Sequence, residues 1–111
     1  MRSCAFSDEV LVGHILNECR KILAITEKID YGIFKKETLY QDGLIRPLEI
    51  IGEAAGNLSE EFCSNHPELP VREMRAMRNI LAHQYYKVDI DYVWLAVTEE
   101  IPLVYKALLC V

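Results

Sequence analysis

Apolar residues recur at three- and four-residue steps through nearly all of this chain, and nowhere do they alternate over the length of a strand. That period belongs to helices that bury one stripe, so the sequence predicts an all-α fold. Between Ser7 and Ile29 the stripe is Val10, Ile15, Leu16, Cys19, Ile22, Leu23 and Thr26. Ser7 can accept a bond from an unpaired first-turn amide, and Asp8 and Glu9 favour the positive end of the helix dipole. Gly32 is the expected stop. A second helix is expected from Glu37 to Leu58, with Leu44, Ile45, Leu48, Ile51, Ala54 and Ala55 along one side. Pro47 should bend it, because proline lacks the amide and its ring crowds the carbonyl four residues back.

Ser59 to Phe62 reads as a turn or a single helical piece, and Asn65 to Pro70 as a loop with Pro70 opening the next helix. That third helix, Val71 to Tyr85, would bury Met74, Met77, Ile80 and Leu81. Asp89 or Asp91 can cap a fourth, whose stripe is Val93, Trp94, Val97, Ile101, Val104, Leu108 and Leu109, and Pro102 should kink it. The expectation is an antiparallel bundle of four to five helices in one domain spanning residues 1–111, since a chain of 111 residues holds one ordinary core.

Charge limits what such a bundle can bind. The 12 basic and 17 acidic side chains leave a net charge of -5, so any nucleic acid must meet a local basic patch. Cys4, Cys19, Cys63 and Cys110 show no zinc-type spacing, which points to no metal framework. Without a signal-like start, a reducing cytoplasm is the expected compartment. No apolar run approaches the ~20 residues that cross a bilayer. A mean hydropathy of +0.07 exceeds what a small monomeric bundle needs, which suggests a homodimer with a second buried face.

The densest chemistry lies in Arg78-Asn79-Ile80-Leu81-Ala82-His83-Gln84-Tyr85. On a continuous helix, Arg78 and Tyr85 would align within about 20°, with His83 about 140° round from Arg78. From Val71 to Lys87 the basic residues Arg72, Arg75, Arg78 and Lys87 face Glu73 alone, which is the patch the net charge requires. Each residue also has a plain structural reading. His83 can be a helix cap, Arg78 an ion-pair partner, Tyr85 an aromatic packed on Trp94 or Tyr92, and Arg72, Arg75 and Lys87 a solvated face. Glu49 and Glu53, one turn apart, read as ion-pair partners for Arg78 or Arg75 at an interface. His14 and His66 show no partner in the sequence.

The chain resembles HEPN-domain proteins of the HepT type, which are ribonuclease toxins paired with a nucleotidyltransferase antitoxin of the MntA type. The resemblance rests on Arg46-Pro47-Leu48-Glu49-Ile50-Ile51-Gly52-Glu53-Ala54-Ala55, on Met77 to Tyr85, and on Val88-Asp89 followed by Val93-Trp94. Val71 departs from the pattern, where relatives often carry Trp.

The resemblance implies a homodimer whose two Arg/His motifs face one another across a cleft, and RNA cleavage without a metal or cofactor. Arg78 and His83 would be catalytic, with Asn79 orienting one of them. Imidazole accepts and donates protons near neutrality, and guanidinium offers a fork of donors that matches phosphate. Arg72, Arg75 and Lys87 would contact RNA phosphates. Tyr85 would receive AMP from the antitoxin, with Tyr86 adjacent to it, and a larger hetero-oligomer with the antitoxin is open. The alternative is a helical interaction module that binds a nucleotidyltransferase or a nucleotide without cutting RNA.

Overall fold

The computed structural model describes residues 6–79 and 89–111, and every regular element among them is a helix. Helix α1 (Asp8–Thr26) begins where the Ser7 hydroxyl accepts from the Val10 amide at 3.3 Å. It buries Leu11, Ile15, Cys19 and Ile22. Burial among these side chains pushes the Cys19 thiol up to about 12, so it sits in the core as a neutral, unreactive group. The helix ends at Thr26, short of the expected Ile29, and Gly32 does not stop it. Gly32 lies instead inside a short helix, α2 (Tyr31–Lys36), which Asp30 caps by accepting from the Ile33 amide at 2.9 Å. Six residues are too few to show a periodic stripe, and α2 buries Phe34 alone.

Helix α3 (Thr38–Gly56) matches the expected second helix to within two residues at each end and continues through a buried Pro47. It runs antiparallel to α1. At one end the Asp8 carboxylate accepts from the Ser59 amide at 2.9 Å and the Ser59 hydroxyl at 2.6 Å. At the other, Ile25 packs on Gly43. Ser59 in turn caps α4 (Glu60–Asn65) by accepting from the Phe62 amide. Helix α5 (Val71–Ala76) follows, and Pro70 precedes its first residue instead of being that residue. Because Asp8 belongs to the first turn of α1 and Ser59 is a cap, one knot of hydrogen bonds fixes the starts of two helices.

Helix α6 (Ile90–Leu95) starts at Asp89, whose carboxylate accepts from the Asp91 and Tyr92 amides. Its ring Trp94 lies 5.0 Å from Phe34 and 6.1 Å from Tyr31, and the Tyr31 hydroxyl donates to Asp91, which ties α2 to α6. The expected kink at Pro102 takes a specific form. Residues Ala96–Glu100 form a π-helical turn leading into α7 (Ile101–Leu109), and the Ile101 amide donates to the Ala96 carbonyl five residues back. The wider turn answers two demands. It loosens the α-helical pairing where Pro102 has no amide to offer, and it keeps Val93, Val97 and Ile101 on one side although steps of four overshoot a 3.6-residue period. All three are fully buried with Val104, while Leu109, expected in the same stripe, is exposed. Thr98 adds a hydroxyl bond to the Trp94 carbonyl at 2.7 Å.

Glu100 closes the π turn with one carboxylate oxygen buried and without a hydrogen-bond partner among the described residues. Burial raises its pKa, and the nearby charge of Glu73 raises it further. The fold therefore holds this proton to higher pH than the unfolded chain does, and stability falls as pH climbs from the ordinary value of 4.5 through the folded one. Glu100→Gln should melt above the wild type at pH 7 and level with it at pH 4. A melting difference that is the same at both pH values would contradict the buried-proton account.

Candidate functional site

Helix α5 is fixed before the motif begins. Met74 and Met77 are fully buried, and Arg75 reaches across to the end of α3. Its Nε donates to the Ala55 carbonyl at 2.9 Å and its Nη2 to the Leu58 carbonyl at 3.3 Å, with the Cys63 sulfur 3.7 Å away. The last carbonyls of a helix have no partner within it and carry the negative end of the dipole, so a guanidinium satisfies both needs there. Arg75 thus ties α5 to α3. Two of the donors expected to meet RNA phosphate, Nε and Nη2, are thus held by backbone carbonyls.

The expected helix from Val71 to Tyr85 is interrupted at Met77 and Arg78, and its stretch from Ile80 to Tyr85 lies outside the described residues. Regular α5 ends at Ala76, the Met77 amide bonds three residues back to Met74, and Met77 and Arg78 form a turn. At this break the backbone of Arg78 presses onto α3 at Gly52. A Cβ on Gly52 would stand 2.4 Å from the Arg78 nitrogen and 2.8 Å from its Cβ, closer than any side chain permits. Gly52 is required for space and not for backbone freedom, since no glycine among the described residues has positive φ. The Arg78 side chain then runs toward the end of α3, where Nη1 lies 3.5 Å from the Cβ position of Gly56. Both Arg78 and Asn79 are exposed, so the guanidinium beside Gly56 remains open to a ligand.

Arg72 is exposed on α5, beyond the turn from Arg78. His83, Tyr85, Tyr86 and Lys87 lie outside the described residues, as do Ile80, Leu81 and Cys4. Within the chain the Glu49 carboxylate takes Arg46 of its own helix at 2.6 Å, because residues three apart on a helix are neighbours. Glu53 is exposed and joins no ion pair among the described residues. His66 has partners the sequence did not reveal, with Nδ1 at 3.4 Å from Glu68 and its ring 4.5 Å from Phe62. His14 is exposed and meets the Phe6 ring edge to face at 5.1 Å. No group of three or more His, Cys, Asp or Glu among the described residues is placed to hold a metal ion. Sequence reasoning missed the two glycines that seat Arg78, although their four-residue spacing on one helix face was a usable signal.

Among the described residues every regular element is a helix, with an Arg-Asn pair presented where α5 meets Gly52 of α3, which fits a HEPN-class bundle. The family model described as "Ribonuclease HepT-like" matches residues 15–111. A Thermococcus cleftensis protein named "Probable ribonuclease HepT" is 44% identical over 77 residues, covering 69% of this chain and 70% of its own. A candidate RNase of Methanocaldococcus jannaschii is 36% identical over 92 residues, covering 83% of this chain and 84% of its own. Another from Caldanaerobacter subterraneus is 37% identical over 89 residues, covering 80% of each. No solved structure matches. The chain belongs to the HepT-like ribonuclease family, whose activity class is endoribonuclease.

The Gly52 contact generates a paired prediction. Gly52→Ala should destabilise the fold by about 1–3 kcal/mol through overpacking and displace Arg78. Gly56→Ala meets only ordinary contact and should be neutral or stabilising by about 0.5–1 kcal/mol, the usual helix gain of Ala over Gly. Denaturant midpoints measure both, and equal effects would mean that the approach at Gly52 is not tight.

Proposed function

We propose that this chain is a metal-independent endoribonuclease toxin, held in check by a nucleotidyltransferase antitoxin of the MntA type. The observation that carries the reading furthest is the seating of Arg78 on Gly52. It places a guanidinium at a defined point on an open surface, next to Asn79 and ahead of the rest of the motif.

His83 takes the proton from a ribose 2′-hydroxyl, the freed oxygen attacks the adjacent phosphorus, and the bond to the 5′-oxygen breaks. The leaving oxygen is protonated, giving a cyclic 2′,3′-phosphate and a 5′-hydroxyl. Arg78 donates to the phosphate oxygens as charge builds on them, and Asn79 orients the reacting groups. Two copies of the chain form the active unit, so that one His83 serves as base and its counterpart as acid. Arg72 and Lys87 add phosphate contacts around this centre, and Arg75 adds one through Nη1 while Nε and Nη2 stay on the Ala55 and Leu58 carbonyls.

Control acts on the same place. AMP joined to Tyr85 brings a phosphate to the Arg78 guanidinium, competing with the RNA backbone and repelling it. The protein works in the cytoplasm, where both the RNA and the antitoxin are found.

In EDTA the purified protein should cut RNA, and Arg78→Ala and His83→Ala should each lower the rate by about 100-fold or more, the scale of losing a phosphate donor or a general base. Undiminished cleavage in either variant removes that residue from the chemistry. After co-expression with the antitoxin, intact mass should rise by adenylyl increments that Tyr85→Phe abolishes. Increments that persist in that variant would move the modification to another residue, Tyr86 first.

A further inference from the structure

Residues of α1 and α3 line an open cleft of about 160 Å³ that the proposed chemistry does not use. Its floor is apolar, from Leu11, Ile50 and Ala54, and its rim carries Phe6, His14, Arg46, Glu49, Glu53 and Asn57. Asn57 follows Gly56, the residue over which Arg78 Nη1 lies, so cleft and guanidinium share the last turn of α3. We infer that this cleft is a base subsite of the ribonuclease, shaped for guanine next to the phosphate held by Arg78. The inference rests on the ribonuclease reading above.

The chemistry of the rim selects the base. An ionised carboxylate only accepts hydrogen bonds, and Glu53 has no cation to satisfy it among the described residues. Guanine alone of the four bases sets two donors side by side, N1–H and the N2 amine, which match the two oxygens of one carboxylate. Adenine and cytosine each offer a single amine, and uracil a single ring N–H. The opposite edge of guanine carries the acceptors O6 and N7, which a guanidinium bonds in pairs. Arg46 supplies it: Nη1 is held to Glu49 at 2.6 Å, which fixes the fork while leaving other N–H groups to donate. Asn57 uses its amide nitrogen on the Glu53 carbonyl at 3.3 Å, which leaves its side-chain oxygen to accept.

Stacking and size agree with this choice. Phe6 and His14 stand edge to face at 5.1 Å, giving the cleft an aromatic wall of the kind on which unpaired RNA bases are held. The volume suits one flat ring system and is too small for a folded segment. Arg46 is paired with Glu49, and no cation stands beside the Glu53 carboxylate among the described residues, so the rim accepts a neutral, donor-bearing base and disfavours a second phosphate.

The test separates this inference from the cleavage reaction. Oligoribonucleotides of one length, each with a single guanosine, adenosine, cytidine or uridine in a common background, are cut by the wild type and by Glu53→Gln. Wild type should cut beside guanosine about tenfold faster than beside adenosine, the discrimination of one good bidentate pair, and in Glu53→Gln the ratio should fall toward one. In parallel, guanosine monophosphate should shift the backbone amide resonances of Glu53, Ala54 and Asn57 where adenosine monophosphate at equal concentration does not. That difference should vanish in Glu53→Gln, whose unchanged melting reports an intact fold at this exposed position.

Cleavage without base preference, or a preference that Glu53→Gln leaves intact, overturns the subsite while sparing the ribonuclease reading. Guanosine-selective shifts in a protein that cuts no RNA would uphold the subsite and defeat the cleavage proposal. Concentration-dependent shifts of the same amides without nucleotide would assign the cleft to a second copy of the chain and overturn the inference.

Discussion

The backbone of Arg78 lies against α3 so closely that only hydrogen fits at position 52. This approach orders the surrounding structure. It needs α5 to stop at Ala76, so that the chain can turn in toward α3. It needs α5 to be fixed already, which the buried Met74 and Met77 and the Arg75 bonds to Ala55 and Leu58 achieve. It also needs α3 to be held in place at that height, which its antiparallel packing on α1 provides. A guanidinium on a flexible arm loses entropy whenever it binds phosphate, whereas one whose backbone is pinned has less to lose.

Electrostatics makes this placement more consequential. A chain with a net charge of -5 gains nothing from long-range attraction to RNA, so binding depends on a few well-placed cations. Arg75 serves the fold and Arg46 is paired, which leaves Arg72 and Arg78 as the guanidiniums of this segment without a hydrogen-bond or ion-pair partner among the described residues. With so few phosphate contacts, affinity should vary only weakly with salt, and the burden of recognition passes to groups that read bases.

How much of this was legible depended on the range of the interaction concerned. The stripes of α1, α3 and the last helices were readable because a buried face imposes its period on the sequence directly. The cap at Ser7 was readable for the same local reason, as was that of the fourth helix, between Asp89 and Asp91. Helix α2 was missed since six residues hold barely one apolar repeat, although Asp30 carried the cap signal. Nothing in Val71 to Asn79 announces the turn at Met77, because every residue there is compatible with a helix and the cause is an approach to Gly52, over twenty positions away in sequence. Arg75 looked like an RNA ligand for a related reason: its partners are carbonyls, which carry no side-chain signature. Of the motif itself, Arg78 and Asn79 can be located and His83 and Tyr85 lie outside the described residues.

The π turn and Pro102 illustrate a different kind of dependence. Replacing the proline alone would restore an amide to a register already shifted by one place, and deleting one residue of Ala96–Glu100 alone would push the ring at 102 toward the carbonyl then four residues back. Each change is tolerable chiefly in company with the other. The irregularity and the imino acid form one heritable unit, and sequences that differ at either position are expected to have crossed from one regular solution to another by paired steps, a local epistasis written into the winding of a single helix.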